Sequence, residues 1–133
     1  MDDRQIAAAR TCPAGAETGA MSFPQIVGTL METGFEAYAV DFRQARATYY
    51  LPDGDTLDLP MQPIEAPVAA TFDAARIAAA IKDAQCGVPG YTYRGFCNTV
   101  TAAGCTGYLV SFPGRRALYI GRTAETHVER FPD

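Results

Sequence analysis

Tryptophan is absent from this 133-residue chain, histidine occurs once, at His127, and Lys82 is the single lysine. Four cysteines, Cys12, Cys86, Cys97 and Cys105, form no C-x-x-C pair. One histidine and unpaired thiols do not supply zinc-ligand spacing. The sequence therefore predicts no metal and no cofactor, and cysteines that stay reduced and mostly buried as small hydrophobes. Neither G-x-G-x-x-G nor a phosphate loop ending in G-K-[ST] occurs, and no serine or cysteine sits in a nucleophile elbow. Asp53, Asp55 and Asp58 lack the glycine and distal glutamate of a calcium loop, so turn chemistry accounts for them. No apolar run approaches the roughly twenty residues that span a bilayer. Asp2 and Asp3 stand where a signal peptide would be basic. These absences set the expectation of a cytoplasmic protein with no membrane partner.

What is present is ample for a core. The chain is 48% hydrophobic and 20% charged, with 12 Gly and 9 Pro. A globule of this size buries about two-thirds of its unfolded surface. Eleven basic and 15 acidic residues give a net charge of −4, which argues against a nucleic-acid partner. The charge is uneven. Residues 1–70 hold four bases and ten acids, whereas 71–133 hold seven and five.

An internal repeat organises the sequence. Shifted by 70 residues, Ser22–Tyr50 overlies Thr92–Ile120 without a gap and with eight identities: Thr29/Thr99, Gly34/Gly104, Tyr38/Tyr108, Val40/Val110, Phe42/Phe112, Arg46/Arg116, Ala47/Ala117 and Tyr49/Tyr119. Chance would supply about two. One step upstream, Ile6-Ala7-Ala8-Ala9 overlies Ile77-Ala78-Ala79-Ala80. Each copy reads as two helices and a three-stranded meander. Asp2 or Asp3 caps a first helix running through Arg10, and Thr71 or Asp73 caps its copy to about Gln85. Ser22 with Gln25 and Pro24 opens a second helix that Gly34 stops, and Thr92 to Gly104 is its copy. The period then becomes two. Tyr38, Val40 and Phe42, like Tyr108, Val110 and Phe112, share a buried face. Second strands are expected at Ala45–Leu51 and Arg116–Ile120, and third strands at Thr56–Leu59 and, less clearly, His127–Phe131.

The expected fold is α+β, a single domain over 1–133. Repeat one is 1–60, a linker is 61–70, and repeat two is 71–133. Antiparallel strands pack with helices around a pseudo-two-fold core, by edge pairing or helix packing between the copies.

Four groups carry candidate chemistry. Tyr38, Tyr49, Tyr108 and Tyr119 recur in both copies and either line a ligand pocket or fill the core. Arg46 and Arg116, the charged pair retained in both copies, suit an anionic small molecule held between them, or else face outward and pair with cross-strand acids. His127 is a catalytic candidate with Glu129 or Glu125 in a small hydrolase or isomerase; the alternative places His127 and Glu129 on an outward strand face. Cys97 and Cys105 are either buried packing or a redox pair.

Phe23-Pro24, Gly34, Tyr38-Ala39-Val40-Asp41 and Arg46-Ala47-Thr48-Tyr49-Tyr50, followed by Gln85-Cys86-Gly87, Tyr93, Phe96, Ala103-Gly104, Tyr108, Tyr119-Ile120-Gly121 and His127 to Pro132, resemble the YbcV-like family of small bacterial and prophage-borne proteins of unknown function, some labelled phage envelope proteins. The resemblance implies a small α+β fold and a cytoplasmic, phage-associated accessory role, and carries over no catalytic residue. Three functions follow as expectations. The first is a module that binds a host protein or a small anionic ligand at the seam between the copies, the second the enzyme built on His127, and the third a self-associating phage component, with a homodimer as its simplest form.

Overall fold

The structure, a computed structural model, describes residues 1–131; Pro132 and Asp133 lie outside the described residues. Helix α1 spans Asp3–Thr18, capped by Asp2, whose carboxylate accepts from the Gln5 amide while the Gln5 side chain accepts from the Asp2 amide. It does not end at Arg10. Pro13 sits inside it, where its fixed φ is helical but its missing N–H leaves the Ala9 carbonyl without its usual donor. The helix stops at Gly19, in the left-handed conformation at φ +76°. Helix α2 spans Phe23–Glu32 behind a Ser22/Gln25 capping box, with Pro24 in its first turn. Helices α3, Ala74–Cys86, and α4, Tyr93–Ala102, are their copies, capped by Asp73 and Thr92.

Strands β1 (Ala37–Asp41), β2 (Arg46–Tyr50) and β3 (Thr56–Pro60) form the first meander; β4 (Cys105–Ser111), β5 (Arg116–Gly121) and β6 (Thr126–Arg130) form the second. All six join one antiparallel sheet in the order β3-β2-β1-β4-β5-β6. The α+β fold with its duplicated unit is therefore present, and the copies meet by edge pairing of β1 with β4. Ala39 and Leu109 occupy equivalent positions of the two repeats and face each other across that pairing, while Tyr38 opposes Val110 and Val40 opposes Tyr108. The flanking hydrogen bonds are reciprocal too: Phe42 N–H donates to the Thr106 carbonyl and Phe112 N–H to the Glu36 carbonyl. A pseudo-two-fold axis thus runs through the centre of the sheet, normal to it.

Agreement extends beyond the matched sequence. Leu51 and Gly121 amides close the next turn on the Asp55 and Glu125 carbonyls, and Met61 and Phe131 amides return to Ala45 and Arg115. Strand β6 is consequently a full copy of β3. Alternation along each strand puts one face on the helices. Tyr38, Val40, Ala47, Tyr49, Tyr108, Val110, Ala117 and Tyr119 from that face join Leu30, Ile77, Ile81, Phe96 and Val100 from the helices in one core. Burying each large side chain contributes about 1.5–3 kcal/mol. The opposite face carries no helix and presents Leu109 and Val128 to solvent. Among the described residues no helix is long and apolar enough to cross a membrane.

Symmetry fails where the first helices meet the sheet. Helix α3 packs Ile77, Ala80, Ile81 and Ala84 inward. Helix α1 offers only Ala9, Cys12, Gly15 and Ala16. Tyr38, Val40, Ala47 and Tyr49 recur in β4 and β5 as Tyr108, Val110, Ala117 and Tyr119, so the smaller buried face of α1 leaves volume unfilled.

Candidate functional site

That missing volume is a cavity of about 510 Å³, within the usual range for small-molecule sites. Its floor is Tyr38, Val40, Ala47, Tyr49 and Tyr108 from β1, β2 and β4. Cys12 and Ala16 of α1 form one wall, and Phe23 and Ile26 of α2 another. Two loops frame the mouth: Gly19 to Ser22 joins α1 to α2, and Gly87 to Thr92 joins α3 to α4 and brings Tyr91 and Val88. Met21 folds over Gly15, where a Cβ would stand 2.6 Å from the Met21 side chain. Both repeats contribute, so the cavity lies at the seam. The equivalent space beneath α3 and α4 is a cavity of about 20 Å³ whose lining includes Ile81, Ala84, Phe96 and Tyr119.

The tyrosines are held rigidly. Tyr38 stacks on Tyr49 at 5.6 Å between ring centroids, Tyr108 stacks on Tyr119 at 5.1 Å, and Tyr38 meets Tyr108 edge-on at 6.1 Å. The Tyr93 and Tyr108 hydroxyls share a hydrogen bond of 2.9 Å. Burial pushes the Tyr38, Tyr49, Tyr93 and Tyr108 hydroxyls well above their ordinary range, and that of Tyr91 up to about 12. They remain protonated at neutral pH. Burial also raises the thiols, Cys12 and Cys105 to about 11 and Cys97 to about 12, which disfavours the nucleophilic thiolate. All four cysteines are free, and Cys86 alone is exposed.

The structure gathers Tyr38, Tyr49 and Tyr108 around this cavity and leaves Tyr119 under α3. It does not bring the arginines to them. Arg46 and Arg116 lie on the open face of the sheet, on β2 and β5, with β1 and β4 between. Arg46 stands 3.6 Å from Asp58, both more than half exposed, a pairing of little energetic weight. Arg116 Nε donates to the Gly114 carbonyl and stands opposite Arg130. Two strands therefore separate the pair.

His127 departs from the outward alternation expected for it. It stands opposite the buried Tyr119, so it shares the helix-facing side, half-buried, with Nε2 3.0 Å from Glu129 Oε2. The equivalent positions of repeat one are Leu57 and Leu59, both packed against the core. Glu125 is engaged elsewhere, accepting from the Thr123 hydroxyl. The tyrosine cavity begins at β4, with β5 between it and the His127 strand. Phe23, Cys12 and Ala16 were not singled out as site residues by sequence; the signal for Cys12 and Ala16 was the small-residue face of α1.

The chain is a duplicated α+β protein with an aromatic cavity at its internal seam. It belongs to a family described as a protein of unknown function, DUF1398, whose pattern matches residues 13–126. Among curated proteins no sequence matches it.

Proposed function

We propose that this protein is a binding module that holds a small organic molecule in the tyrosine cavity, in the setting of a cytoplasmic, phage- or mobile-element-associated accessory protein. The setting is supported by the sequence resemblance to prophage-borne proteins. The binding role is supported by one observation: the fold builds the same unit twice, fills the interior of one copy with isoleucines, and leaves about 510 Å³ open in the other. Cavity volume lowers stability. A repeat whose partner shows how to close the space therefore keeps it open at a cost that a ligand offsets.

Ala16 lines the cavity and is 8% exposed. The test titrates Nile red, a neutral dye that brightens in apolar surroundings, into the wild type and Ala16→Leu. The wild type should bind it saturably, and Ala16→Leu should melt at the same or a higher temperature and lose the dye at least about tenfold. A wild type that binds no dye, or a filled variant that binds it equally well, contradicts the reading.

A further inference from the structure

We propose that the molecule held in this cavity is uncharged, flat and largely apolar, aromatic in character, and carries an oxygen that accepts a hydrogen bond from the Tyr49 hydroxyl. This rests on the binding role just given and names the chemistry of its ligand.

The lining contains no lysine, arginine or histidine. Among the described residues its one ionisable acid beside the phenols and thiol is Glu17, and Arg94 already stands 3.7 Å from that carboxylate. An anion would enter with no cation to meet it and with Glu17 nearby. A cation would find that carboxylate already partnered. Burying either charge unpaired is costly, so a neutral ligand fits best.

The polar groups on the wall are mostly committed to the fold. Ser22 Oγ and Gln25 Oε1 are held in the capping box of α2, and Thr92 Oγ1 accepts from the Gly95 amide. Tyr93 and Tyr108 hydroxyls satisfy each other. Tyr91 is half-buried at the mouth. Tyr49 differs from all of these, and from Tyr38, whose hydroxyl interacts with that of Tyr108. It is 4% exposed, its ring is clamped between Tyr38 at 5.6 Å and Phe35 at 5.9 Å, and its hydroxyl has no hydrogen-bond partner among the described residues. That hydroxyl is not sealed off, since Arg94 Nη2 is the one fully buried side-chain polar atom without a partner among the described residues; Tyr49 lines the cavity, and a ligand there can supply the partner in place of solvent. Burial keeps that phenol protonated, hence a donor, which calls for an acceptor on the ligand. Aromatic walls favour a flat aromatic body through offset and edge contacts.

Four probes of one ring system separate the possibilities: acetylnaphthalene, naphthalene, naphthoate and naphthylmethylammonium, titrated calorimetrically into wild type, Tyr49→Phe and Ala16→Leu, with a thermal melt to show that each variant is folded. Acetylnaphthalene should bind best, naphthalene about three- to tenfold more weakly for want of the hydrogen bond, and both ions at least about tenfold more weakly than the ketone. Tyr49→Phe should bring the ketone down to the naphthalene level and leave naphthalene unchanged. Tight binding of either ion that Ala16→Leu removes overturns the ligand class while the site stands. A ketone unaffected by Tyr49→Phe, or one that fails to bind where Nile red binds, also overturns it. Failure of all four probes together with Nile red overturns the site itself.

Discussion

Gly34 and Gly104 hold equivalent places after α2 and α4, with φ +92° and +94°. Left-handed backbone of that kind suits glycine, which is why the repeat preserves it and why both were readable in the sequence as helix stops. Their surroundings differ. A Cβ at Gly34 would meet only Gln5 Nε2 at 3.5 Å, whereas one at Gly104 would stand 2.2 Å from the Thr71 carbonyl oxygen. Gly34→Ala should cost about 1–2 kcal/mol in urea unfolding, the conformational term alone. Gly104→Ala should cost at least about 2 kcal/mol more, because the backbone arriving from the linker must move. Equal costs would contradict the close approach. Ala45 and Arg115 also match, at φ +53° and +51°, yet no sequence signal marks them. The turn imposes the conformation, and a non-glycine residue tolerates it.

At the scale of elements, β6 repeats β3 in register and turn geometry but exchanges Leu57 and Leu59 for His127 and Glu129. A half-buried hydrogen-bonded polar pair is often matched or bettered by hydrophobic residues of similar size, and the repeat itself shows that leucines fit there. The double variant His127→Leu with Glu129→Leu should therefore fold and match or exceed the wild type by about 1 kcal/mol in denaturant unfolding. His127→Leu alone should be less stable than the double variant, since Glu129 loses its partner. A double variant that fails to fold would show that the pair is structurally required. The matched residues were legible because they carry the buried face, the caps and the turns, all of which have sequence signatures. Two things were hidden. Helix α1 runs past Arg10 to Thr18 with Pro13 inside it, and in the turn after the proline Gly15 and Ala16 are buried, Gly15 beneath the Met21 side chain. The inward aim of His127 follows from its register with Tyr119, and strand polarity alone pointed the other way.

For the molecule as a whole, the 70-residue offset foretold the architecture, because equivalent positions Ala39 and Leu109 meet at the dyad. It directed attention to the seam, and the cavity lies there. Identity between repeats was a poorer guide to the site. Arg46 and Arg116 are conserved between the copies on the open face, whereas the cavity arises from a difference between them: α3 buries Ile77 and Ile81, while α1 buries Ala9, Cys12, Gly15 and Ala16 and leaves Ile6 half-buried. A comparison that rewards sameness passes over such a place. The most direct measurement is a crystal structure of the protein with acetylnaphthalene. The account predicts the ring system between Ala16 and the Tyr38/Tyr49 pair with its carbonyl oxygen at hydrogen-bond distance from Tyr49 Oη. Ligand density on the open sheet face or between α3 and α4, with the tyrosine cavity unfilled, would contradict it.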